Sequence, residues 1–195
     1  MSHETISPHG SVVERGAIGG IGKMLQDMSV DRVLVIGGKR ALESASAGIE
    51  RSVKSGRPHA HIRTETFEGQ CSERNIGKFE AIAREESADG IIAVGGGKAI
   101  DAVKLVAQNC GVPVITVPTS AATCAAWTAL TVVYTDEGSY DSYETLHLCP
   151  SRIVMDLDVL LHSPVRLLAS GIGDAIVQWY ERQGAVSGGG PLNAM

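Results

Sequence analysis

A chain of 195 residues, 44% hydrophobic and with a net charge of −5, is long enough for one packed domain and a piece of a second. Its mild acidity excludes nucleic acid as the main partner, because phosphate backbones call for clustered Lys and Arg, and 4% aromatics supply no stacking platform for single strands. No apolar run approaches the roughly 20 residues of a membrane span, the first residues lack the pattern of a secretory signal, and four cysteines without CxxC spacing read as reduced thiols, so a cytoplasmic protein without a membrane partner is expected.

In chain order, Ser11 to Glu14 reads as a short strand, and residues 17–28 as a helix weakened by Gly19, Gly20 and Gly22. Val33 to Ile36 is a continuous apolar strand of the parallel-sheet kind. Gly37-Gly38-Lys39 follows as a turn, then a helix over 41–54 and a strand from His59 to Phe67. Ser72 opens a helix reaching about Glu86. A buried strand at Gly90 to Val94 leads through Gly95-Gly96-Gly97 into a helix over 98–109, and Pro113 to Pro118 is another buried strand. A segment of small residues from Thr119 to Ala129 precedes strands at Leu130 to Thr135 and Arg152 to Met155, with a polar turn at Asp136-Glu137-Gly138 between them. Ser163-Pro164 starts a last helix to about Arg182, loosened at Gly171 and Gly173. Alternating strands and helices predict an α/β class with a mainly parallel, Rossmann-like sheet.

The glycine turn is the first pointer to function. Without Cβ atoms its backbone can approach a phosphate closely, and the following helix aims free N–H groups and a partial positive charge at it. An ordinary tight strand–helix turn reads the same way in isolation. Asp101, on the first turns of that helix, suits the helix dipole as well as it suits a direct role.

More specific wording follows in order: Gly95-Gly96-Gly97-Lys98-x-x-Asp101-x-x-Lys104, Val117-Pro118-Thr119, Ala122-Thr123-Cys124-Ala125-Ala126-Trp127-Thr128-Ala129-Leu130, Tyr134-Thr135-Asp136-Glu137-Gly138 and Leu168-Ala169-Ser170-Gly171-Ile172-Gly173-Asp174. Together these resemble the iron-containing alcohol dehydrogenase family, in its glycerol dehydrogenase and hydroxycarboxylate dehydrogenase-like branch, over roughly residues 10–185. The resemblance implies the N-terminal half of such an enzyme. Residues 1–162 would be a dinucleotide-binding domain of the dehydroquinate synthase-like fold. Residues 163–195 would be a hinge helix and the start of a helical metal-binding domain, so that the chain is a fragment.

The same resemblance implies site residues. Gly96, Gly97 and Lys98 match the pyrophosphate turn; Thr119, Ala122, Thr128, Leu130 and Tyr134 match positions lining NAD or NADP; Asp174 matches a ligand of the catalytic divalent metal, zinc or iron. The remaining ligands would be histidines of the other half, and His147 and His162 read as surface residues. Two positions depart from the family pattern. Gly38 stands where many members carry a ribose-binding aspartate, and with Lys39 and Arg40 beside it the expectation is tolerance or preference for NADP(H). Cys124 stands where glycerol-type members place a substrate-contacting aspartate. With Trp127 it favours a less hydroxylated substrate, and Trp127 reads equally as core. A small alcohol, polyol or 2-oxo acid is the implied substrate, and homo-oligomers are implied for the full-length protein. A dehydroquinate synthase-like lyase and a non-catalytic dinucleotide-binding remnant stay open as alternatives.

Overall fold

The computed structural model describes residues 8–187. Along the chain it forms β1 (Ser11–Glu14), a 3-10 turn (Ala17–Gly20), α1 (Ile21–Asp27), β2 (Arg32–Gly38), α2 (Lys39–Gly56), β3 (His61–Phe67), α3 (Glu73–Glu85), β4 (Gly90–Gly95), α4 (Gly97–Cys110), β5 (Val114–Pro118), β6 (Leu130–Tyr134), β7 (Tyr140–Thr145), β8 (Arg152–Asp156), α5 (Leu157–Leu161) and α6 (Val165–Ser187). Six strands make one sheet in the order β1-β8-β5-β4-β2-β3, every pair parallel. The expected α/β class with a mainly parallel sheet is therefore what the chain adopts.

Both faces of the sheet are covered, which is why β4 and β5 are buried at every residue and read as unbroken apolar runs. On one face, Phe79 of α3 and Ile100, Val103 and Val106 of α4 pack on Leu34, Ile36 and Ile91. On the other, Ile21 and Leu25 of α1 and Leu42, Ile49 and Val53 of α2 pack on Val33, Val35, Ile92 and Val94. Ser72 caps α3 by accepting a hydrogen bond from the Asn75 amide at 3.4 Å, as the sequence leads one to expect.

Several local expectations are corrected. The predicted turn at Gly37-Gly38-Lys39 does not exist as a separate element: both glycines extend β2 and α2 begins at Lys39. A Cβ on Gly37 would come within 2.5 Å of the Val94 carbonyl oxygen, so glycine serves strand packing there. Residues 17–28 split into the 3-10 turn and α1. The polar turn at Asp136–Gly138 closes an antiparallel hairpin of β6 and β7, outside the main sheet, instead of linking β6 to the strand at Arg152. β7 is polar and almost wholly exposed, so it carries no apolar alternation to detect. The short α5 was not anticipated either. Asp156 caps it, accepting from the Asp158 amide at 3.0 Å. α6 runs unbroken through Gly171 and Gly173. A Cβ on Gly171 would lie 1.8 Å from the Ala121 carbonyl oxygen, so this glycine marks close approach of the helix to the loop after β5.

Gly22 is the tightest contact between α1 and α2. Its amide donates to Ser52 Oγ at 2.9 Å, and the same hydroxyl donates to the Gly19 carbonyl at 2.7 Å. A Cβ on Gly22 would sit 2.0 Å from the Ser52 carbonyl oxygen, whereas one on Gly19 would meet nothing within 4 Å. In urea denaturation, Gly22→Ala is expected to cost about 2 kcal/mol or more, and Gly19→Ala to stay within about 0.5 kcal/mol of the unchanged chain.

Candidate functional site

The chain leaves β2 toward β3 on one side and leaves β4 toward β5 on the other. Helices following such diverging strands lie on opposite faces and open a crevice at the carboxyl ends of the strands. Here α2 and α4 are those helices. Each starts from a glycine, Gly38 and Gly96, that offers no side-chain cap. Their first N–H groups therefore face the crevice with the positive ends of the helix dipoles. Gly95 holds φ at 154°, a conformation that side chains rarely adopt, and its carbonyl accepts from the Thr119 amide at 3.0 Å. That bond fixes the start of the loop after β5 against the glycine turn.

A groove of about 670 Å³ runs over this crevice. Gly38, Gly96, Thr119 and Ser120 line its floor, and Lys39, Arg40 and Arg166 stand along it without any acidic residue among its lining. None of these three cations makes an ion pair among the described residues. His162, read from sequence as a surface residue, is exposed but also lines the groove.

Ser120 also lines a second cleft, of about 220 Å³, which continues the groove toward α6. Cys124, Trp127, Asp174 and Gln178 face it. Gln178 Nε2 donates to Asp174 Oδ2 at 3.2 Å and to Cys124 Sγ at 3.4 Å, so one carboxamide joins the two candidate residues. Sequence reasoning missed Gln178. The available signal was its place four residues after Asp174, on the same helix face. Another cleft, about 710 Å³, lies elsewhere, between the 3-10 turn, α2 and α5. None of the motif residues lines it.

The remaining candidates fall into separate places. Lys98 is exposed on the first turn of α4, and Gly97 packs with its Cα facing Thr123 and Ala125. Ala122 is half-buried on the loop that Gly171 contacts, outside the lining of both clefts. Thr128 and Leu130 are half-buried, and their backbone faces Lys104: the Leu130 carbonyl accepts from Lys104 Nζ at 2.7 Å, and Thr128 Oγ1 donates to the Leu130 carbonyl at 3.2 Å. Tyr134 packs partly buried on the core, with its amide donating to the Cys71 carbonyl. Asp101 is buried and pairs with Lys104, Oδ1 to Nζ 2.9 Å, instead of facing the crevice. Burial pushes the Asp101 carboxyl up, and the Lys104 ammonium beside it pulls it partly back. The apolar residues that flank Asp174 on α6 do not enclose it: Ile172, Ile176 and Trp179 are more than half exposed.

As a metal donor set the site is partial. Asp174 offers one carboxylate at the mouth of a cleft, and among the described residues no group of three or more His, Cys, Asp or Glu comes together.

Comparison with known proteins decides the family. The family model "Iron-containing alcohol dehydrogenase" matches residues 8–157. The chain belongs to this family. It is similar to a glycerol dehydrogenase of Escherichia coli O6:H1, 37% identical over 175 residues that make up 90% of this chain and 47% of that protein. Hydroxycarboxylate dehydrogenase A of Escherichia coli K12 is 36% identical over 156 residues, 80% of this chain and 41% of that protein. The crystal structure of a probable glycerol dehydrogenase from Sinorhizobium meliloti superposes with a TM-score of 0.86 at 30% identity, covering 95% of this chain and 49% of that one. The chain thus spans about half the length of the relatives it matches, and this iron-containing alcohol dehydrogenase chain carries their sheet domain.

The four thiols of this family member differ in surroundings. Cys124 is exposed in the second cleft. Cys71 is fully buried, and burial together with the Asp101 carboxylate pushes its thiol up to about 12. Titration with a thiol reagent at about pH 8 is expected to label Cys124 in the native chain and Cys71 only after denaturation. Mass mapping of the labelled peptides checks this.

Proposed function

We propose that this chain is the coenzyme-binding part of a metal-dependent, NAD(P)-linked oxidoreductase that moves a hydride between nicotinamide and a small alcohol or 2-hydroxy acid. One observation carries the reading: two clefts meet at Ser120, one with uncapped helix N-termini and cations that make no ion pair among the described residues, the other with Asp174, Cys124 and Gln178. A dinucleotide laid along them puts its phosphates at Gly96, Gly97 and Lys98, with the Thr119 hydroxyl as a further donor. Its nicotinamide end then reaches the second cleft. The relatives named glycerol dehydrogenase and hydroxycarboxylate dehydrogenase support the reaction class.

Asp174 is the residue that would hold the divalent ion, zinc or iron, with further ligands from outside the described residues. Such an ion polarises the alcohol or carbonyl oxygen as a Lewis acid. The chain's own residues do the rest. Helix termini and cations bind the coenzyme, Gln178 orients the Asp174 carboxylate, and Trp127 and Cys124 shape an apolar wall that offers a polyol no charged acceptor. This favours an alkyl or carboxylate-bearing substrate over glycerol. The apolar, exposed residues of α6, among them Leu168, Ile172, Ile176 and Trp179, support reading residues 163–195, of which 188–195 lie outside the described residues, as the first part of a helical domain that packs over the crevice.

Gly38 leaves open space where a carboxylate would repel a 2′-phosphate, and Lys39 and Arg40 follow it at the start of α2. Calorimetric titration of the 195-residue chain is expected to show weak binding, with NADPH held at least as tightly as NADH. Lys39→Ala with Arg40→Ala should weaken NADPH about tenfold while changing NADH little. A strong preference for NADH in the unchanged chain overturns the coenzyme assignment, and robust turnover by this chain without further residues overturns its role as a part. In an enzyme that contains this chain and the remaining ligands, Asp174→Ala is expected to lower bound metal, measured by elemental analysis, about tenfold or more.

A further inference from the structure

Lys104 is 1% exposed, midway along α4, and carries its charge into the interior. Its Nζ donates to the carbonyls of Ala125 and Leu130, each at 2.7 Å, and of Thr128 at 3.1 Å; Thr128 Oγ1 lies at 3.4 Å and Asp101 Oδ1 at 2.9 Å. Five oxygens thus surround a group with three protons, a shell like that of a bound monovalent cation. Burying an ammonium is costly unless it is paired and fully hydrogen-bonded. An apolar side chain of similar length would fill the space at less cost, but it could not gather carbonyls.

The carbonyls it gathers all belong to the connection from β5 to β6, residues 119–129, and the first residue of β6. This connection has no regular secondary structure. It supplies Thr119 and Ser120 to the groove and Cys124 and Trp127 to the second cleft. Its other anchors are the Thr119 amide on Gly95, Thr116 Oγ1 donating to the Ala126 carbonyl at 3.1 Å, the Leu146 amide donating to the Ala129 carbonyl at 2.8 Å, Gln178 Nε2 donating to Cys124 Sγ at 3.4 Å, and a turn bond from the Trp127 amide to the Cys124 carbonyl at 2.9 Å. Asp101 adds a tie to β6 by accepting from the Val132 amide at 3.4 Å.

We propose that Lys104 is a positioning residue for the substrate end of the crevice, an internal cation that folds residues 125–130 into the wall presenting Cys124 and Trp127. The placement of substrate at that wall rests on the oxidoreductase reading above; the ordering of the wall by Lys104 does not.

Hydrogen exchange read by mass spectrometry on the 195-residue chain tests this, together with titration of NADPH. Three chains are compared: unchanged, Lys104→Ala, and the doubly neutral Asp101→Asn with Lys104→Met, which removes both charges together and keeps the core uncharged. In both variants, amides of 119–130 are expected to exchange at least tenfold faster while those of β4 stay within twofold. Propylammonium, which fits the space vacated in Lys104→Ala, should restore slow exchange there, and tetramethylammonium at equal concentration should not. The Kd for NADPH should rise and recover with the same amine. Unchanged exchange in 119–130, loss of protection in β4 to the same extent, or no recovery with propylammonium each overturns the proposal. If the unchanged chain binds no dinucleotide, the oxidoreductase reading falls, while loop exchange and its amine dependence still decide the role of Lys104.

Discussion

A helix buried at nine consecutive residues, Ala99 to Ala107, has no wet face on which to carry charge, yet α4 carries two charged side chains within that stretch. Low dielectric makes an isolated charge there untenable, so Asp101 and Lys104 must neutralise each other and satisfy their remaining hydrogen-bond capacity nearby. The partners they find are carbonyls of the connection into β6 and of Leu130, the Thr128 hydroxyl, and the β6 amide of Val132. The same helix begins at Gly96, where its uncapped end faces the groove. One element thus couples the glycine turn at the groove to the wall of the neighbouring cleft, and its burial is what forces the coupling.

The groove itself is electrostatically one-sided. Two helix N-termini from opposite faces of the sheet converge on it, both started by glycine, and Lys39, Arg40 and Arg166 add positive charge that no described acid offsets. An anion entering there gains from each contribution, and the low polarity of the sheet beneath leaves little to screen it. Positive charge along this groove and a carboxylate, Asp174, in the neighbouring cleft make the two ends electrostatically opposite.

The second cleft depends on a close backbone contact. Gly171 lets α6 approach the Ala121 carbonyl, and this approach brings Asp174 and Gln178 opposite Cys124. A side chain at Gly171 would push the helix away and separate the carboxylate from the loop. The amide of Gln178 is the single hydrogen-bonding bridge from α6 to Cys124 among the described residues, so the shape of this end rests on contacts made across the fold.

The sequence by itself determined the strands that are buried on both faces, the helices between them, the cap at Ser72 and the glycine turn, because each is written in local periodicity or in residues with restricted backbone or capping chemistry. It also carried the ordered motifs that place the chain in its family. It did not reveal β7, whose residues face solvent on nearly every side, nor the short α5 held by one carboxylate cap. Nor could it tell that the carbonyls of Thr128 and Leu130 meet Lys104, that Asp101 faces that lysine and not the crevice, or that Gln178 joins Asp174 to Cys124. Those relations pair residues three to more than fifty positions apart, and which partner a buried charge or amide finds depends on how α4, α6 and the irregular loop pack in three dimensions. Only the tertiary structure decided them.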